Sequence, residues 1–84
     1  MFDKFKQLQK ARELQNALSQ ERAEVEKQGI KVIVTGTMKI DSITLNPGLD
    51  QTTQEQLLKE CINEAMQKIQ MIAAQKMSEM GGMF

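Results

Sequence analysis

The chain has 84 residues, and its 11 Lys and Arg are balanced by 11 Asp and Glu, so one small domain with no bulk attraction for nucleic acid or membrane is the starting expectation. It contains no His, Trp or Tyr, one Cys and one Pro. Without His, the commonest general base, transition-metal ligand and partner of a nucleophilic Ser or Cys are all missing, so no enzyme, metal site or cofactor is expected.

Cys61 has no disulfide partner in the chain, which suits a reducing compartment. The first residues, Met1-Phe2-Asp3-Lys4-Phe5-Lys6, lack the apolar run of a signal peptide, and no stretch approaches the roughly 20 apolar residues of a membrane span. A soluble cytoplasmic protein with no membrane contact and no small-molecule substrate is the reading. So short a chain buries a modest share of its surface, which favours assembly with a second copy.

From Asp3 to Gln28 the residues are almost all good helix formers, with neither Gly nor Pro before Gly29. One helix over about 3–28 is predicted, ended by that glycine. Ala11, Leu14, Leu18 and Val25 fall on one narrow strip at about 100° per residue, and Leu8 and Phe5 drift off its edge. A narrow strip suits a partner helix. Residues 1–12 carry Lys4, Lys6, Lys10 and Arg12 against Asp3 alone, whereas residues 41–64 carry five carboxylates against Lys59. Such polarity can orient a partner where net charge cannot.

Ile30 to Thr35 is rich in β-branched residues, and Met38 to Leu45 supplies Ile40, Ile43 and Leu45. A hairpin over about 30–45 is predicted, with Gly36-Thr37 as a type II′ turn and neighbouring registers open. Ile30, Val32 and Val34 alternate onto one face. A lone hairpin is marginal and has two open edges, which the same hairpin of a second subunit would close. Thr52 and Glu55 fit a capping box, so a second helix is predicted over about 53–79, followed by a tail at 80–84. Leu58, Cys61, Ile62, Ala65, Ile69, Ile72, Ala73 and Met80 form its broad apolar face, where Cys61 reads as a small buried hydrophobe.

Several short segments occur in a distinctive order: Met1-Phe2, Lys10-Ala11-Arg12-Glu13-Leu14-Gln15, Lys31-Val32-Ile33-Val34-Thr35-Gly36, Ile43-Thr44-Leu45-Asn46-Pro47-Gly48-Leu49, Leu57-Leu58 and Asn63-Glu64-Ala65. In this order the chain resembles the YbaB/EbfC family of bacterial nucleoid-associated DNA-binding proteins. The resemblance implies an α+β homodimer with a sheet built from both subunits, binding double-stranded DNA with low sequence specificity. Members of the family carry a further strand before the one matching Lys31 to Thr35. Here Gly29 leads straight into Ile30, so two strands per subunit are expected.

On charge alone, Lys4, Lys6, Lys10, Arg12, Lys31 and Lys39 are the candidate DNA contacts, made mainly to phosphate. Leu14, Leu18, Val32, Val34 and Ile43 are the candidate dimer interface. The alternative is a prefoldin-like chaperone subunit or protein-protein scaffold, since two helices flanking a hairpin is that architecture as well. Gln15, Glu21 and Arg22 interrupt the heptads such helices need.

Overall fold

The computed structural model describes residues 2–81. Helix α1 (Phe2–Gln20) is followed by strands β1 (Arg22–Lys27), β2 (Ile30–Thr35) and β3 (Ile40–Thr44), then by helix α2 (Gln51–Gly81). The strands form one antiparallel sheet in the order β1-β2-β3. Residues 82–84 of the expected tail, and the place of Met80 on the apolar face, lie outside the described residues.

The first helix is therefore shorter than its composition suggests, and the chain supplies three strands where two were expected. Arg22 to Lys27 consists of residues that tolerate a helix, but its burial alternates strictly: Ala23 and Val25 are buried while Arg22, Glu24 and Glu26 face solvent. That period of two satisfies a strand packed on one side. Gly29 is the second residue of a two-residue hairpin turn and does not cap a helix. Gln28 and Gly29 have φ of 50° and 85°, the pair of positive angles of a type I′ turn, whose twist matches the flanking strands. Val25 lies opposite Val32 and Ala23 opposite Val34.

The second hairpin has no two-residue turn at Gly36-Thr37. The chain runs through residues 36–39 with Met38 at φ 66°, and the Thr35 amide donates to the Lys39 carbonyl at 2.8 Å. Val32 is opposite Ile43 and Val34 opposite Ile40, which leaves Asp41 as the extra residue of a bulge. Ile40 and Ile43 are three residues apart, and the bulge is what lets both point to the same face of a sheet whose side chains otherwise alternate.

Helix α2 lies across β1 and β2. Leu57, Cys61, Ala65 and Ile69 recur every four residues and pack on Ala23, Val25, Ile30, Val32 and Val34; Ile30, Val32, Val34, Cys61, Ala65 and Ile69 are completely buried. Burying each large aliphatic side chain contributes about 1.5–3 kcal/mol. Asp50, two residues before the expected Thr52, caps α2. Its carboxylate accepts the Thr53 amide at 3.1 Å and the Thr53 hydroxyl, and these bonds hold its pKa below the ordinary carboxylate value.

The Asn46-Pro47-Gly48 turn ties the sheet to this helix. The Asn46 amide nitrogen donates to the Gln28 carbonyl at 2.8 Å, its side-chain oxygen accepts the Gly48 amide at 3.0 Å, and its backbone amide donates to Gln54 Oε1 at 3.0 Å. One short polar side chain thus joins the β1–β2 turn to the β3–α2 connection.

Candidate nucleic-acid interface

Helix α1 is about 28 Å long at 1.5 Å per residue and belongs to a molecule measuring 59 × 17 × 14 Å. It is held at one end. Leu14, Ala17 and Leu18 are half-buried, whereas Phe5 and Leu8 are 62% and 58% exposed. At its foot the Gly36 amide donates to the Glu21 carbonyl at 3.1 Å, and a Cβ on Gly36 would lie 2.2 Å from the Leu18 carbonyl oxygen. Only glycine permits that approach. The Arg22 guanidinium donates to the carbonyls of Ser19 and Glu21 and lies 3.6 Å from Asp41, placing positive charge over the carboxyl end of the helix.

Four of the six candidate DNA contacts lie on this helix: Lys4, Lys6 and Arg12 are exposed and Lys10 is half-buried. Lys39 is exposed in the loop that abuts the foot of α1 through Gly36. Lys31 stands apart. It is near the other end of β2, on the sheet face turned away from α2, with Nζ 3.2 Å from Glu24 Oε1.

Among the described residues, the ion-paired cations all belong to the sheet and α2. Arg22 meets Asp41, Lys27 meets Glu64 at 2.6 Å and Glu60 at 3.9 Å, Lys31 meets Glu24, and Lys76 meets Glu21. The Glu64 hydrogen bond raises the Lys27 pKa. Lys4, Lys6, Lys10 and Arg12 form no ion pair with residues 4–79. With only Asp3 and Glu13 as acidic residues, α1 keeps an excess of positive charge, which is what a phosphate-binding surface requires.

Phe5, Leu8 and Gln9 went unrecognised as site candidates. With Arg12 they line one shallow hollow of about 130 Å³ on α1. The signal in the sequence is the drift of Phe5 and Leu8 away from the strip that anchors the helix.

The expected interface residues divide in three. Val32 and Val34 have no exposed surface and belong to the protomer's own core. Leu14 and Leu18 are half-buried at the anchored end of α1. Ile43 is 42% exposed on β3. Every residue of β3 is exposed, because α2 covers the other two strands. Glu60, Glu64 and Lys68 of α2 reach Lys27 and the Glu24 carbonyl on the β1 side, so helix geometry turns Leu58, Ile62 and Met66 toward the β3 side. These three are half-buried, and beside them Ile40, Ile43 and Leu45 are 42–51% exposed.

The Cys61 thiol donates to the Ile30 carbonyl at 3.7 Å, and burial pushes its pKa up. It packs as a small hydrophobe and is kept from the thiolate form that nucleophilic chemistry needs.

A helix, a three-stranded antiparallel sheet and a long covering helix, with an excess of cations on a helix anchored at one end, define a small α+β module with a cationic arm. The chain belongs to the YbaB/EbfC DNA-binding family, which it matches over residues 1–84. It is 35% identical over 63 residues to an uncharacterized protein of Mycoplasma pneumoniae, the MG134 homolog, in a match covering 66% of this chain and 63% of that protein. The chain thus spans somewhat less than two thirds of that relative's length. No solved structure matches it. No helix among the described residues is long and apolar enough to cross a membrane.

Proposed function

We propose that the chain is a non-enzymatic, cytoplasmic, nucleoid-associated protein that binds double-stranded DNA as a homodimer with low sequence specificity. The observation that carries this reading is the excess of cations on α1, unpaired with residues 4–79, in a chain of a DNA-binding family. Lys4, Lys6, Lys10 and Arg12 contact phosphates, with Lys39 at the base of the arm, and Lys31 contributes least because Glu24 already holds it. Phosphate contacts carry no sequence information and make affinity fall steeply with salt. Gel-shift titrations with a duplex at several salt concentrations test this. Binding at low salt that weakens linearly on a log–log plot is expected; absence of binding at low salt removes the reading.

The dimer closes at β3. Its free edge and the apolar surface of Ile40, Ile43, Leu45, Leu58, Ile62 and Met66 meet the same surface of a second copy, so that the sheet continues between subunits. Sedimentation equilibrium should give twice the chain mass at micromolar concentration, and Ile43→Glu should give a folded monomer. A wild-type monomer at that concentration rejects the interface.

A further inference from the structure

The projecting half of α1 holds a second feature that phosphate contacts leave unused. Phe5 and Leu8 are among the most exposed large apolar side chains of the molecule, yet they lie within the most cationic segment of the chain. They share one hollow with Gln9 and Arg12. At about 100° per residue these four side chains occupy one side of the helix, with Lys4 and Lys6 on either flank.

The size of the patch decides what it fits. Phe5 and Leu8 together offer on the order of 200 Å² of apolar surface, against the roughly 800 Å² per partner of a stable protein interface. The opposite side of this half of the helix adds no large apolar residue, so a stable bilayer anchor is not built either. One or two apolar side chains are, however, all that a wedge between base pairs requires, and proteins that kink DNA set such wedges among Arg, Lys and Gln.

We propose that the Phe5, Leu8, Gln9 and Arg12 face of α1 is the surface laid against duplex DNA, and that Phe5 and Leu8 enter between adjacent base pairs and unstack them. Lys4 and Lys6 take the phosphates on the two flanks, the guanidinium of Arg12 reaches a phosphate across the groove, and the amide of Gln9 holds the arm in it. This inference rests on the DNA-binding reading above and adds to it a distortion of the duplex. Unstacking unwinds DNA, whereas binding phosphates alone does not require it.

The test is relaxation of a closed circular plasmid by a topoisomerase in the presence of the protein, run beside gel-shift titrations of the same samples. Wild type should shift the topoisomer distribution in proportion to bound protein. Phe5→Ala/Leu8→Ala should keep the salt slope within about one unit, since it removes no charge, and should lose at least four fifths of the shift. Both side chains are exposed, so circular dichroism of this variant should match wild type. Wild-type binding without a topoisomer shift, or a double variant that shifts topoisomers as wild type does, overturns the wedge and leaves the DNA reading intact. Absence of wild-type binding overturns both. Co-sedimentation with phosphatidylglycerol vesicles that the double variant loses, with its topoisomer shift retained, reassigns the face to a lipid surface and likewise overturns the wedge.

Discussion

The α2-covered half of the sheet and the α1 arm treat charge and apolar surface in opposite ways. In the covered half the aliphatic side chains of the sheet that face α2 are buried, and Lys27, Lys31 and Arg22 each meet a carboxylate. On the arm Phe5 and Leu8 are in solvent and the cations meet no carboxylate of residues 4–79. A chain of zero net charge can therefore present a cationic surface, because α1 holds four cations against two carboxylates while the rest of the chain holds seven cations against nine carboxylates. The covered half is organised for folding, and the arm is left available for a ligand.

Substitutions should separate the two regions. The largest effect belongs to Val34→Lys, which places an ammonium in the completely buried core. An unpaired buried charge costs several kcal/mol, a large share of the stability of a small domain, and the variant should show no cooperative thermal transition by circular dichroism. A folded Val34→Lys protein would mean that the arm side, not the α2 side, supplies the stability.

Next is Lys4→Gln/Lys6→Gln/Lys10→Gln/Arg12→Gln. It should fold with an unchanged melting temperature within about 3 °C, given the small worth of surface charges. Its DNA affinity should fall at least tenfold, with a salt slope shallower by roughly 3–4 per protomer. Gly36→Ala tests the joint. Its Cβ would press on the Leu18 carbonyl, so melting should fall by about 5–15 °C while the salt slope of DNA binding stays at its wild-type value, because no charge changes.

The smallest effect is one of pH. The Asp50 pKa is lowered in the folded protein by its bonds to Thr53, so its contribution is fully present above the ordinary value of 3.8 and is lost as pH falls through the lower folded value. Amide exchange at Thr53 and Gln54 should accelerate below about pH 4, and Asp50→Ala should remove that pH dependence.

Much of the covered half could be read from residue patterns. The β-branched run from Ile30 and the four-residue recurrence of Leu57, Cys61, Ala65 and Ile69 are strong periodic signals. Arg22 to Lys27 misled because Arg, Glu, Ala and Lys are good helix formers, and only Ala23 and Val25 carry the period of two; burial beneath α2 overrides propensity there. Asp50 and Thr52 are both acceptable caps by type, and the position is settled by where the Asn46 turn releases the chain. Val32 and Val34 were legible as apolar, but periodicity does not say whether the chain's own helix or a partner covers that face. The cations of the arm were legible as charge, whereas the absence of an ion pair between them and residues 4–79 is a three-dimensional fact.

The tight Gln28-Gly29 turn also bears on how the molecule forms. It joins β1 to β2 through two residues, the shortest connection between strands, and small loops close at the lowest entropic cost. The β1–β2 hairpin is thus the natural nucleus, onto which α2 condenses and to which the arm is added last. Truncating Val25 or Val32 should slow folding, whereas truncating Leu18 should chiefly speed unfolding. The arm would then be the last part of the molecule to acquire structure and the first to lose it.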